Sequence, residues 1–190
     1  MPHILGQRIL LREYRLSDLS EMRKWVNDPR VTRGLSDIFL FPHSQEATEE
    51  FLRDVLEGRS DTREFVVASR PSEAYLGQIG LKVLDWKNRF AEISLVFPRE
   101  HQGQGYGTEA IGLLQRFAFE EMGLNRLELF VHEDNAPALR CYQKCGFREE
   151  GRFRQRFFRQ GRFWDMILMA LLAEEYRSFP APAEEREDFV

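Results

Sequence analysis

The feature that most constrains the fold of this chain is a cluster of glycines that follows an apolar run. Residues 93–97 read ISLVF, residues 101–107 read HQGQGYG, and apolar residues then recur at helical spacing from Ile111 to Ala118. This order predicts a strand, a glycine-rich turn and a helix. Because the first amides of a helix have no partner within it, and glycine lets a ligand approach the backbone closely, the turn is suited to binding phosphate.

Two common phosphate-binding patterns do not fit these glycines. A dinucleotide-binding turn needs G-x-G-x-x-G or G-x-G-x-x-A, whereas Gly103 and Gly105 are followed by Thr108, and no parallel β-α-β unit begins the chain. A P-loop needs a lysine directly after its last glycine, and none is present here. We therefore predict a phosphate site of another class, with a plain tight turn as the structural alternative.

The rest of the chain indicates one domain of mixed helices and strands. Its 190 residues are 43% hydrophobic, which is sufficient for a single core. The periodicities predict an α/β (α+β) architecture, with a mixed, mostly antiparallel sheet of about seven strands flanked by about four helices. No apolar run approaches the roughly 20 residues that span a bilayer, and the first residues lack a signal-peptide pattern. We expect a cytoplasmic location and no membrane partner.

The net charge of -4 comes from the end of the chain. Six acids there outnumber two arginines: Glu174, Glu175, Glu184, Glu185, Glu187 and Asp188 against Arg177 and Arg186. We predict a domain at residues 1–176 and an acidic, proline-containing tail at residues 177–190. The domain itself has no basic excess, so nucleic acid is an unlikely partner. Cys141 and Cys145 lack further ligands at metal-binding spacing, so we expect no metal.

Two motifs resemble those of one family. Gln102, Gly105 and Gly107 match the [Q/R]-x-x-G-x-[G/A] acetyl-CoA signature of the GNAT superfamily of N-acetyltransferases. Residues 135–147, NAPALRCYQKCGF, resemble that family's N-x-x-A-x-x-x-Y-x-x-x-G-F. The flanking segments are similar to the branch that contains the ribosomal-protein N-terminal acetyltransferases and several small-amine acetyltransferases. The resemblance covers residues 7–176, nearly the whole chain.

The resemblance implies the GNAT fold, whose sheet splays between its fourth and fifth strands. The pantetheine arm of acetyl-CoA would lie in that gap, and its pyrophosphate would lie on the amides of the glycine turn. A backbone N–H at the end of the fourth strand would face the thioester oxygen. The residues implied to bind acetyl-CoA are Leu95, Val96, Phe97, Gln102, Gly103, Gln104, Gly105, Tyr106, Gly107, Thr108, Asn135, Ala138, Tyr142 and Lys144. For Asn135 a role as helix cap is an equal alternative, and for Lys144 plain solvation is the alternative.

The resemblance also implies a catalytic role for Tyr142. Coenzyme A leaves as a thiolate whose conjugate acid has a pKa near 8.5, whereas a tyrosine with a pKa near 10 keeps its proton at neutral pH and can act as general acid. Some relatives carry a glutamate base where this chain has Phe130. The tentative bases are therefore Glu92 and Glu128, with His132 and Glu133 as further candidates, each having a structural role as its alternative.

The acceptor side is less specific. The segment GRFRQRFFRQGRF at residues 151–163 interleaves arginine and phenylalanine, which on its own suits single-stranded nucleic acid. We favour a hairpin in which Phe153 and Phe157 point inward and the arginines face water, where they could select an acidic substrate. The apolar loop at residues 38–41 would pack against the domain and form the opposite wall.

Taken together, these residues predict an N-acetyltransferase that uses acetyl-CoA and a primary amine, either a protein N-terminus or a small molecule. The amine would attack directly, without a covalent enzyme intermediate. A non-catalytic acyl-CoA-binding regulatory module is the alternative. A homodimer is expected from the resemblance alone, and the sequence does not specify the acceptor.

Overall fold

A computed structural model describes residues 3–60 and 63–178 of the chain. Eight strands form one sheet: β1 Ile4–Leu5, β2 Ile9–Arg12, β3 Arg63–Ser69, β4 Tyr75–Asp85, β5 Phe90–Val96, β6 Arg126–His132, β7 Arg148–Arg159 and β8 Arg162–Leu172. The α-helices are α1 Leu19–Trp25, α2 Pro29–Thr32, α3 Gln45–Leu56, α4 Tyr106–Arg116, α5 Ala136–Lys144 and α6 Ala173–Ser178. Residues 179–190, most of the predicted tail, lie outside the described residues.

The strand order is β1-β2-β3-β4-β5-β6-β8-β7, and every neighbouring pair is antiparallel except β5 and β6, which are parallel. The mixed, mostly antiparallel α/β sheet is therefore confirmed. The strand count is one higher than expected because Ile4–Leu5 pairs with β2 as a short additional strand. In the described part of the chain none of the helices is long and apolar enough to cross a membrane.

The sheet carries helices on both faces because its strands alternate side chains between two apolar clusters. In β3, Val66 belongs to the cluster with α1 and α3, whereas the next residue, Val67, belongs to the cluster with α4. The first cluster includes Trp25 and Leu52, and the second includes Ile111. The helix pair α1 and α3 and the helix α4 therefore lie on opposite faces of the sheet.

The parallel strands β5 and β6 diverge after a short paired stretch. Their register runs only from Phe90 opposite Arg126 to Glu92 opposite Glu128. Beyond Glu92, β5 stays paired with β4 as far as Val96, and β6 stays paired with β8 as far as His132. The two strands therefore separate toward their carboxyl ends and leave a gap in the sheet. This is the expected position of the splay, because the short additional strand β1 makes the family's fourth and fifth strands β5 and β6 in this chain.

The apolar loop does not pack as predicted. Ile38, Leu40 and Phe41 are 65%, 66% and 75% exposed, and Phe39 alone of the four turns inward, with its ring centroid 5.8 Å from that of Trp25. The reason is local geometry, because Asp37–Leu40 forms a 3₁₀ turn with about three residues per turn. Successive side chains then point in different directions, and one turn can bury only one of them.

The Arg/Phe-rich segment does form the predicted hairpin, β7 and β8, and its two phenylalanines differ in burial. Phe157 is buried, whereas Phe153, which packs against the Phe130 ring, is 45% exposed. The pairing shifts between these two residues, and Gln155 within the shift has a φ of 51°. Their partners on β8, Met166 and Trp164, are two residues apart, so both phenylalanines lie on one face of the hairpin, and Phe153 differs only in being left partly uncovered beside the irregularity.

Candidate active site

The glycine turn has the geometry that its sequence predicts. Gly103 and Gly105 have φ values of 73° and 83°, a left-handed backbone that favours glycine. Gly105 is the N-cap of α4, whose first backbone hydrogen bond runs from the Glu109 N–H to the Gly105 carbonyl over 3.2 Å. The amides of residues 106–108 therefore have no partner within the helix. They point outward at a helix N-terminus, where the positive end of the dipole favours an anion.

Two glutamine side chains hold this turn against the end of β5. Gln102 donates from Nε2 to the Phe97 carbonyl over 2.8 Å, and Gln104 donates from Nε2 to the Glu100 carbonyl over 2.6 Å. The motif glutamine thus fixes the turn to the strand that borders the gap. The position of the turn's amide groups relative to the gap in the sheet is consequently fixed by these bonds.

Arg8 lies at the same turn, although sequence analysis did not identify it. Its guanidinium donates to the Gln104 carbonyl over 2.9 Å, pairs with Glu109 at 2.9 Å, and lies 4.9 Å from the centre of the Tyr106 ring. Arg8 is 96 residues from Gln104 along the chain, so no local pattern links the two. The fold therefore adds a fixed cation to the exposed amides of the turn.

A cavity of about 660 Å³ lies at the gap between β5 and β6. Among the predicted site residues, Leu95, Val96, Glu92 and Tyr142 line it. Phe97 is buried just beyond the end of β5, beside the turn. The fold thus brings the end of β5 and the α5 tyrosine to one cavity.

Tyr142 projects from α5 into this cavity with its ring edge-on to Phe147, at a centroid distance of 6.0 Å. Burial raises the pKa of Tyr142 above its ordinary value, and the neighbouring Cys141 raises it further. The phenol therefore stays protonated at neutral pH. A hydroxyl that keeps its proton at neutral pH is able to donate it.

The two tentative glutamate bases lie in different surroundings. Glu92 lines the cavity, is 19% exposed, and has Lys82 as a neighbour at 3.4 Å. Glu128 is not among the cavity-lining residues. It accepts from Arg126 over 2.7 Å, and Arg126 also pairs with Glu150 at 2.6 Å. Both oxygens of Glu150 and one of Glu128 are thus engaged in one ion-pair group, none of whose members lines the cavity.

The two further base candidates, Glu133 and His132, also differ in whether they line the cavity. Glu133 accepts from the Asp165 N–H over 2.8 Å and from Arg152 over 2.9 Å, so it is held in the hairpin. His132 lines the cavity and is only 4% exposed, and its Nδ1 has no hydrogen-bond partner among the described residues. Of the four candidates, Glu92 and His132 are therefore the two with access to a substrate.

His132 should make stability depend on pH. Burial lowers the pKa of His132, and the nearby Arg159 lowers it further. The folded protein thus binds a proton at this site less readily than the unfolded chain does. We expect the free energy of unfolding to be highest above the unfolded pKa near 6.5 and to decrease as the pH falls below that value.

Urea denaturation at a series of pH values between about 8 and 5 checks this expectation. His132→Phe should flatten the dependence, because phenylalanine keeps a ring at this position and removes the titrating group. An equal slope in wild type and His132→Phe would contradict the assignment.

The remaining predicted residues lie on or near α5. The Asn135 Oδ1 caps this helix by accepting from the Ala138 N–H over 3.3 Å, so the helix-cap alternative is present. Lys144 is exposed near the end of α5. Cys141, on the face of α5 that meets α4, has its Sγ 3.6 Å from the Thr108 Oγ1. The second motif is thus packed directly against the first.

Sequence analysis also missed polar residues of the cavity on β3 and β4: Glu64, Gln78 and Lys82. Glu64 lies across Gly80 of the neighbouring strand, where a Cβ would overlap its carboxylate. Gln78 stands in the otherwise apolar run YLGQIGL of β4, and this polar residue inside a buried strand was the available signal. Their convergence depends on strand register, which the sequence does not specify.

The Gln78 amide is held in one orientation by a buried relay. The Trp25 indole N–H can only donate, and it donates to the Tyr75 hydroxyl over 3.1 Å. That hydroxyl then donates to the Gln78 Oε1, also over 3.1 Å. The Gln78 amide oxygen is therefore occupied, and its NH₂ group is left to donate toward the cavity.

The splayed mixed sheet, the glycine-rich turn at the gap and the tyrosine beside it are the features of an acetyl-CoA-dependent N-acetyltransferase. Residues 8–148 match the family described as Acetyltransferase (GNAT) domain. The chain belongs to this family. In the described residues, no group of three or more histidine, cysteine or acidic side chains is placed to hold a metal ion.

Relatives support the same class. A spermidine N(1)-acetyltransferase from Vibrio cholerae is 32% identical over 173 residues, which is 90% of this chain and 97% of the relative. The crystal structure of a Vibrio cholerae spermidine N-acetyltransferase in complex with CoA and spermine superposes with a TM-score of 0.79 at 25% identity, covering 90% of this chain and 99% of that one. A putative ribosomal N-acetyltransferase from Bacillus subtilis is 35% identical over 100 residues, 53% of this chain and 55% of the relative.

Proposed function

We propose that this protein transfers acetyl from acetyl-CoA to a primary amine by direct attack, with Tyr142 as general acid. The observation that carries the proposal is the single cavity that Tyr142, the end of β5 and two possible bases share. Acetyl-CoA as donor fits the exposed amides of residues 106–108 and the adjacent Arg8, which together suit a pyrophosphate.

In the proposed reaction, the amine nitrogen attacks the thioester carbonyl and forms a tetrahedral intermediate. A backbone N–H of residues 95–97 stabilises the negative charge on its oxygen. The intermediate then collapses, the carbon–sulfur bond breaks, and the thiolate takes the Tyr142 proton. Glu92 or His132 accepts the proton that the amine loses, directly or through water.

The acceptor is better supported as a small-molecule amine than as a protein N-terminus. The Vibrio cholerae spermidine N-acetyltransferases match along nearly their whole length, whereas the putative ribosomal N-acetyltransferase matches over about half. A place in the branch of ribosomal-protein acetyltransferases is therefore the second candidate. The homodimer implied by the family resemblance remains a prediction.

A free-thiol release assay tests this function. Acetyl-CoA is mixed with single amines of a panel that includes spermidine, arylalkylamines and short peptides with free N-termini, and coenzyme A is measured as it is released. We expect turnover with at least one amine and a matching acetylated product by mass spectrometry. Tight acetyl-CoA binding without turnover on any amine would instead support the non-catalytic acyl-CoA-binding module.

A further inference from the structure

The cavity has an aromatic wall on its helical side. The Trp25 and Phe39 rings lie 5.8 Å apart between centroids, and Phe39 stacks on His43 at 4.9 Å. Phe51 of α3 lines the same side. These residues come from α1, the 3₁₀ turn at Asp37–Leu40, the segment after it and α3. The wall is therefore built by elements that are distant in sequence from the glycine turn.

A second pair of rings lies on the opposite side, at the end of the sheet. Phe130 of β6 and Phe153 of β7 have ring centroids 5.7 Å apart and both line the cavity. Although they are large apolar side chains, they are 41% and 45% exposed. An apolar ligand between the two walls would remove this surface from water, which a hydrated cation would not do.

The charges of the cavity are balanced. Two carboxylates line it, Glu64 and Glu92, and two basic side chains line it as well, Lys82 and Arg156. Lys82 is the neighbour of Glu92 at 3.4 Å. A polyamine brings about three or four ammonium groups at neutral pH, and each needs a partner once it leaves water. This lining does not supply them.

We propose that the acceptor is a primary monoamine with a bulky aromatic group, and not a polyamine. The ring would lie between Trp25, Phe39 and Phe51 on one side and Phe130 and Phe153 on the other. The inference rests on the proposed function, because it names the acceptor of the same reaction. The acceptor that we propose differs from the spermidine named for the relatives, because the cavity of this chain has balanced charges and exposed aromatic surface.

The first test compares tryptamine, phenethylamine, spermidine and a peptide with a free N-terminus as acceptors in the thiol-release assay. We expect kcat/KM for the better arylalkylamine to exceed that for spermidine by about tenfold or more. A higher value for spermidine or for the peptide overturns the inference and leaves the proposed function intact. Absence of turnover with every amine overturns the proposed function itself.

Two matched pairs of variants locate the effect. Phe130→Gln should lower kcat/KM for tryptamine by about tenfold through KM, whereas Phe163→Gln, an exposed hairpin phenylalanine outside the cavity lining, should not. In the second pair, Arg156→Glu exchanges a positive charge of the cavity lining for a negative one, so kcat/KM for spermidine should rise by about tenfold. Arg154→Glu makes the same exchange on the same strand but outside the lining, and kcat/KM should not change. Equal effects within either pair contradict the placement of the acceptor.

Discussion

Tyr142→Phe is expected to lower kcat by about 10²–10⁴-fold while leaving acetyl-CoA affinity nearly unchanged. The substitution removes one oxygen from a ring that stays packed against Phe147. Without the hydroxyl, coenzyme A must leave as an unprotonated thiolate. Steady-state kinetics with a saturating amine, together with direct binding of acetyl-CoA, separates the loss of chemistry from a loss of binding.

The matched control is Tyr14→Phe. Tyr14 is also a buried tyrosine, its hydroxyl has no hydrogen-bond partner among the described residues, and it does not line the cavity. Its kcat should equal that of the wild type. An unchanged kcat in Tyr142→Phe would refute the general-acid assignment, even if the protein is an active acetyltransferase.

The wild-type pH profile gives a second test of the same residue. Because burial raises the pKa of Tyr142 above its ordinary value near 10, the acid stays protonated throughout the usual assay range. We expect kcat to show no decline between about pH 8 and pH 10. A decline with an apparent pKa below 10 that Tyr142→Phe abolishes would contradict the raised pKa.

Gly105→Glu is expected to weaken acetyl-CoA binding by about 100-fold or more. A carboxylate about 5 Å from one phosphate group costs about 3 kcal/mol at an effective dielectric constant near 20. Gly105 is the N-cap of α4, so the new charge would stand at the proposed pyrophosphate position. Isothermal titration with acetyl-CoA measures the loss, and circular dichroism verifies that the variant is folded.

Two controls separate charge from backbone strain. Gly105→Ala keeps the site uncharged but places a Cβ on a left-handed residue, which costs about 1–2 kcal/mol of stability. Gly58→Glu introduces the same charge at another left-handed glycine, one with open space around its Cβ position and far from the turn in sequence. If all three variants bind acetyl-CoA alike, the glycine turn is not the phosphate site.

The parts of the site that the sequence predicts are those set by local backbone geometry. The left-handed glycines, the helix that begins at Tyr106 and the cap at Asn135 each depend on a few consecutive residues. Such features follow from propensities and capping rules that operate within one turn.

The parts that the sequence does not predict depend on register or on distant contacts. Arg8 lies near the start of the chain, 96 residues before Gln104, and yet contacts the glycine turn. Glu64 lines the cavity from a position across Gly80 of the neighbouring strand. The difference between Glu92 and Glu128 follows from which neighbours pair with them, although both lie at the same register position. Phe153 and Phe157 lie on one face of the hairpin but differ in burial, because the irregularity between them gives them different neighbours.

The short pairing of β5 with β6 has a consequence for the whole molecule. Only three residue pairs join the strands β1–β5 to the strands β6–β8 within the described sheet. A donor that lies between the diverging strands would act as a cross-link between these halves. Binding to the folded state alone adds about 2.7 kcal/mol at a ligand concentration about one hundred times Kd. Resistance to thermal unfolding should therefore rise with the supply of acetyl-CoA, so that the protein persists where its donor is plentiful.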